Sequence, residues 1–82
     1  MKTELIQTIM VHNLNVFYSL SELTCEDGTS SYGIVVKGGA ESICCSGLSA
    51  ERTSVESLLN AMIRGKVTPA TAQDIVEDWL LR

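Results

Sequence analysis

Cys44-Cys45, Cys25, His12 and the carboxylates Asp74, Glu77 and Asp78 are the residues of this chain whose types could support chemistry. Two adjacent cysteines suggest a redox pair or a pair of zinc ligands, which Cys25 and His12 would complete as a Cys3His set. Both uses require convergence: a disulfide needs alpha carbons within about 7 Å, and tetrahedral zinc needs its ligands around one point. In extended backbone, neighbouring side chains point to opposite faces. Cys45 is therefore expected in the core as a small hydrophobe. Cys44 faces outward as a thiol with no cation nearby in sequence to lower its pKa.

His12 is the only histidine, so a Ser-His or Cys-His catalytic pair would have to use it. No companion motif surrounds it, and we read it as a turn or surface residue. Asp74 and Asp78 stand one helical turn apart, with Glu77 beside them. Calcium takes about six to eight oxygen ligands, more than this helix offers. The cluster reads as a solvated face whose functional version is an acidic docking surface. Gly38-Gly39 has no Gly-Lys-Ser/Thr after it and joins two strands, so it is no phosphate loop. No cofactor is implied, no metal ligand set is assigned, and no catalytic residue is named: the chain is read as not an enzyme.

The elements that would carry these residues follow from apolar spacing. Val55, Leu58, Leu59, Met62 and Ile63 recur at helical intervals, and so do Ala72, Ile75, Val76, Trp79 and Leu80. Each set lies along one face of a helix, and both faces must be buried. The first helix is expected to start near Ser49, with Ser49 or Thr53 as cap; Thr53-Ser54-Val55-Glu56 also fits a capping box, and Gly65 ends the helix. Thr68-Pro69 opens the second. The short Gly65 to Thr68 connection makes the two helices neighbours, and Trp79 reads as a core anchor.

Strand residues dominate 14–46, interrupted at Glu26-Asp27-Gly28 and Gly38-Gly39. A three-residue loop at the first break, with Gly28 left-handed, sets Leu20 opposite Ile34 and Tyr18 opposite Val36. A two-residue turn there would mix the faces, because a one-residue slip inverts a strand. At the second break, Gly38-Gly39 as a primed turn sets Ile34 opposite Ile43 and Tyr32 opposite Cys45. Either turn selects the same apolar face: Val16, Tyr18, Leu20, Tyr32, Ile34, Val36, Ile43 and Cys45. Ser19, Ser21, Lys37, Ser42 and Ser46 take the other face and can stay wet, while Phe17 and Val35 sit there less comfortably. The segment Leu5 to Val11 either adds a fourth strand, turning at His12-Asn13, or covers those two residues; a second copy of the chain would serve as well.

At 82 residues the chain is expected to form a single domain, 1–82. Residues 1–13 are an N-terminal segment whose structure the sequence does not determine, 14–46 a β-meander and 49–82 a two-helix layer. So small a core buries only roughly 60–65% of the unfolded surface, and dimerisation would enlarge it. The net charge is -4 and the six Lys and Arg residues are scattered, which disfavours nucleic acid as a partner. The acidic second helix equally disfavours helix-turn-helix DNA binding. Polar breaks within residues 1–20 leave neither a signal peptide nor a membrane span. An odd number of cysteines without a framework fits the cytoplasm.

Tyr18-Ser19-Leu20, Tyr32-Gly33-Ile34, Gly47-Leu48-Ser49 leading into Val55 and Leu58, and Asp74-Ile75-Val76-Glu77-Asp78-Trp79-Leu80 together resemble a group of small uncharacterised bacterial domains from anaerobic Gram-positive lineages. The resemblance spans most of the chain after the N-terminal segment. It implies no activity, and Cys44-Cys45 lies outside its pattern. The resulting expectation is an α+β domain: a three-stranded antiparallel meander, with an optional fourth N-terminal strand, and two helices on one sheet face. Its function is expected to be that of a cytoplasmic, non-catalytic interaction or regulatory module, acting through a protein partner or self-association. The expected surface comprises Phe17, Val35, Asp74, Glu77 and Asp78. A small-ligand or metal-binding protein using the Cys/His or acidic residues is the alternative, and a structural part in a larger assembly is a third reading.

Overall fold

The structure is a computed structural model and describes residues 2–81. In chain order the elements are β1 (Lys2–Val11), β2 (Leu14–Thr24), β3 (Ser30–Gly38), β4 (Glu41–Ser49), α1 (Arg52–Arg64) and α2 (Pro69–Leu80). The strands form one antiparallel sheet in the order β1-β2-β3-β4, and both helices pack into one core against it. The fold is thus an α+β meander of four strands followed by two helices. The N-terminal segment extends the sheet as its first strand and does not cover the outer face.

His12 and Asn13 make that extension possible. Their φ angles are 50° and 66°, the left-handed pair that a two-residue type I′ hairpin turn requires, and Asn tolerates it better than most residues. Val11 pairs with Leu14 across the turn, and the ladder continues to Lys2 opposite Glu22. One bulge interrupts it: Leu5 pairs with Ser19 and Gln7 with Tyr18, leaving Ile6 extra. Ile9 and Val11, between the turn and the bulge, face the helix side with Val16 and Leu14, whereas the bulge turns Leu5 to the outer side with Ser19.

Between β2 and β3 the register is the expected one, with Leu20 opposite Ile34 and Tyr18 opposite Val36. The loop closes through the Cys25 N–H, which donates to the Thr29 carbonyl at 2.7 Å, and the Gly28 N–H, which donates to the Cys25 carbonyl at 3.0 Å. Gly28 has φ 88°, as the three-residue loop demands. Asp27 Oδ1 accepts from the Thr29 hydroxyl at 2.7 Å and the Thr29 N–H at 3.0 Å. The first of these bonds does most to hold its carboxyl below the usual range.

The β3–β4 register departs from expectation by one turn position. Gly38 remains in the ladder opposite Glu41, so the turn is Gly39-Ala40, with Gly39 at φ 60°. Ile34 therefore faces Cys45 and Val36 faces Ile43. Moving the turn by one residue displaces each cross-strand partner by two, so side-chain parity and the apolar face survive. Farther along, Tyr32 pairs with Ser49 and not with Cys45, because β4 bulges around Gly47 at φ 66°. A Cβ on Gly33 would sit 2.7 Å from Ser46 Cα and 2.9 Å from the Cys45 carbonyl carbon. β4 crosses over the place where that side chain would be. Ser21, the partner of Gly33 on β2, is buried at 1% exposure; Ser19 is buried too, so neither is a wet residue.

α1 starts at Arg52 with Glu51 as its N-cap, later than expected. Neither Ser49 nor Thr53 caps it, and the Thr53–Glu56 capping box does not form. The Ser49 hydroxyl instead accepts the Glu51 N–H at 3.1 Å, and the Ser54 hydroxyl donates to Glu51 Oε2 at 3.2 Å. The bulge that carries β4 out to Ser49 uses the residues an earlier helix start would need. Gly65 closes α1 and Thr68-Pro69 opens α2, though the Thr68 side chain makes no capping bond to backbone.

Tyr18, Ile34, Val36, Val55, Met62 and Ala72 are fully buried where the layers meet. Tyr32, Ile43, Cys45, Ile75 and Trp79 are half-buried at the margin of this core. Trp79 is thus a partial anchor, with one flank open. α1 lies over β2 and β3 and α2 over β4 and β3. The Arg52 guanidinium pairs with Glu56 one turn along and with Glu4 of β1 at 2.8 Å, linking α1 to the first strand.

Candidate functional site

The residues with chemical potential do not assemble. His12 sits in the β1–β2 turn and Cys25 in the β2–β3 loop, at opposite ends of an 11-residue strand and so roughly 30 Å apart. Cys44 points to the outer face and is exposed, while Cys45 is half-buried on the helix side. All three thiols are free. Burial, then Cys44 and Glu77, push the Cys45 thiol pKa up, the opposite of what a nucleophile needs. Among the described residues, no three His, Cys, Asp or Glu side chains converge as metal ligands would.

Two surfaces remain, one on each side of the molecule. The first is the outer face of the sheet. The ladder registers align Leu5, Ser19, Val35 and Cys44 as one row and Thr8, Phe17, Lys37 and Ser42 as the next. Met10 and Asn15 extend the face at one end, with Leu23 and Ser31 at the other. Phe17 is 42% exposed, Leu5 57% and Met10 64%. Val35, the other residue expected on this surface, is 8% exposed, at mid-sheet in a hollow lined also by Thr3, Ser19, Lys37 and Cys44. Phe17 is therefore the expected residue that this face offers; Met10 joins it opposite Asn15 in the register set by the His12-Asn13 turn, and Leu5 joins it through the bulge at Ile6. Nothing in apolar spacing signals that bulge, so sequence reasoning missed Leu5; it missed Met10 because the sequence leaves the pairing of residues 1–13 open.

Lys37 is the one charged residue among the outward positions in these ladders. The rest are Thr, Ser, Asn, Gly, Cys and apolar side chains. Charges on the neighbouring strands point elsewhere: Glu4 and Glu22 share the helix side with Leu20, where Glu4 meets Arg52.

The second surface is a groove of about 470 Å³ between the helices. Ser57, Leu58 and Ala61 of α1 face Asp74, Ile75, Asp78 and Trp79 of α2 across it. Of the expected acidic trio, Asp74 and Asp78 line this groove. Glu77 lies on another side of α2, near enough to β4 to raise the Cys45 pKa. The helices are neighbours as expected and share β3 beneath them, but α1 leans toward β2 and α2 toward β4, which leaves this space between them. Helical spacing gives the faces that go inward; it does not give the distance between two helices, which is why the groove was not foreseen.

No helix of the described residues is long and apolar enough to cross a membrane. No curated protein and no solved structure matches the chain significantly. A family model covers residues 2–82, including the N-terminal strand that the resemblance noted above left out. The chain belongs to the family described as "Family of unknown function (DUF6514)".

Proposed function

We propose that this protein is a small non-catalytic interaction module that self-associates through the outer face of its sheet. The observation that carries this reading is the composition of that face: exposed Leu5, Met10, Phe17 and Leu23, with Lys37 as the one charge in its ladders. The chain has a net charge of -4, so most of its surface repels a second copy. An almost uncharged face escapes that repulsion, and a two-fold axis lets the same apolar patch meet itself.

The area is adequate. Four strands spaced about 4.8 Å apart and roughly nine residues long present on the order of 600 Å² per copy, or about 1,200 Å² in total, the lower bound of stable interfaces. Edge-to-edge pairing is a poorer solution. β1 is an edge strand whose ladder is broken by the bulge at Ile6 and which carries Lys2 and Glu4, all features that discourage strand addition. The free thiols of Cys25, Cys44 and Cys45 fit a reducing compartment, and we place the module in the cytoplasm.

Size-exclusion chromatography with light scattering tests the reading. A dimer is expected at high concentration, and Phe17→Asp is expected to give a folded monomer, since Phe17 is half outside the fold already. Thiol labelling gives an independent readout: Cys44 should be protected in the dimer and released by Phe17→Asp, while Cys25 labels rapidly in both. A wild-type chain that stays monomeric at its highest soluble concentration, with Cys44 as reactive as Cys25, would overturn the proposal.

A further inference from the structure

Cys44 opens into a hollow of about 350 Å³ on the outer sheet face, which it lines with Thr3, Ser19, Val35 and Lys37. That volume suits a small ligand, at the lower end of the about 300–1,000 Å³ of small-molecule sites. Two further residues point to what the ligand is. Ser19 is 9% exposed, and its hydroxyl makes no hydrogen bond among the described residues although it borders the hollow. A buried hydroxyl without a partner is costly, and a ligand amide or carboxylate would satisfy it. Lys37 lies diagonally across the β3–β4 ladder from Cys44, roughly 7–8 Å away and within reach of its long side chain, and its ammonium favours an anionic ligand. We propose that Cys44 is a modification site for a small thiol bearing carboxylates, of the cysteine-containing peptide class, which it takes from the disulfide form of that thiol.

The step is thiol–disulfide exchange. The Cys44 thiolate attacks one sulfur of the small disulfide, whose S–S bond breaks as a new one forms to Cys44 Sγ. The electron pair leaves on the second sulfur, which takes up a proton in place of the one Cys44 lost. One disulfide is consumed and one is made, so the small disulfide is itself the oxidant. Linked at Cys44, the cap lies across Val35 toward Ser19, two strands or roughly 10 Å away, with a carboxylate beside Lys37. No thiol of the chain is placed to remove it, because Cys45 faces the helix side and Cys25 stands in the β2–β3 loop. The cap therefore persists until an external thiol reduces it. A cap also adds bulk and charge to the face through which two copies would pair, so it forms on the single chain and blocks pairing. That consequence rests on the self-association reading; the site does not.

Glutathione disulfide is the probe and uncharged 2-hydroxyethyl disulfide the reference, with mass spectrometry of the reduced full chain giving the capping rate at each cysteine. Cys25 is the internal control, exposed as Cys44 is but followed by Glu26 and Asp27. The ratio of Cys44 to Cys25 capping should be roughly tenfold higher with glutathione disulfide than with the reference. Lys37→Glu should remove that preference and Lys37→Arg should keep it, while Ser19→Ala should reduce it roughly threefold. Circular dichroism establishes that each variant is folded.

Equal ratios for the two disulfides, or an unchanged preference in folded Lys37→Glu or Ser19→Ala, would overturn the site. Light scattering before capping, after capping and after reduction reads the consequence. A capped chain that dimerises as the reduced chain does would overturn the regulation. A reduced chain that stays monomeric at its highest soluble concentration would overturn the self-association reading, and the capping ratios would still decide the site.

Discussion

Tyr18 is where the sheet and the helix layer are tied by a single polar atom. Its ring is fully buried on the inner face of β2, and its hydroxyl donates to the Val67 carbonyl at 2.6 Å, in the connection that ends α1 and begins α2. Tyr18→Phe keeps the ring but leaves that carbonyl without its donor, which should cost about 1 kcal/mol and lower the melting temperature by roughly 4–8 °C. Burial also raises the Tyr18 pKa above the ordinary value of 10.0. The neutral phenol is thus favoured by the fold. Its contribution is complete below the unfolded-state pKa and is lost as pH rises through the higher folded value. Stability measured by urea unfolding should fall as pH rises above about 10, and Tyr18→Phe should lessen that fall. A variant with an unchanged alkaline slope would show that other groups control it.

The β3–β4 pair depends on two glycines with different tasks. Gly47 supplies the positive φ of the bulge, and Gly33 leaves room for β4 to cross it. The neighbours of Gly33 are backbone atoms of Cys45 and Ser46, which cannot rotate aside as a side chain would. Gly33→Ala should therefore destabilise the domain by roughly 2–3 kcal/mol, measured by urea or thermal unfolding. An alanine at Gly28, where a Cβ meets open space, should cost only the strain of its positive φ. The same region explains what sequence reasoning could and could not read. Apolar alternation gave the inner face from Val16 to Cys45, because parity survives the relocated turn. The bulges at Ile6 and Gly47 are set by how strands pass one another in space, and their outcomes, the outward Leu5 and the delayed start of α1 at Arg52, were beyond it. Phe17 as a surface residue was readable from alternation alone; the groove beside Asp74 was not.

At the level of the whole molecule, helices on one side of a four-stranded sheet leave an open layer. A domain of this size buries too small a fraction of its chain to be very stable alone, so self-association and stability should be linked. If the outer faces pair, the dimer unfolds to two chains and the melting temperature depends on concentration. Well above the dissociation constant, each tenfold increase in concentration adds about 0.7 kcal/mol per chain, half of the tenfold value because two chains share it. For a domain of this length that is roughly 3–6 °C. Phe17→Asp, which places a carboxylate on that nearly uncharged face, should melt at a lower temperature that no longer varies with concentration. Asp74→Lys, on the helix side, should retain the wild-type dependence. Differential scanning calorimetry over a hundredfold concentration range separates the cases. A wild-type melting temperature independent of concentration would mean that the outer face stays open and the folded unit is the single chain.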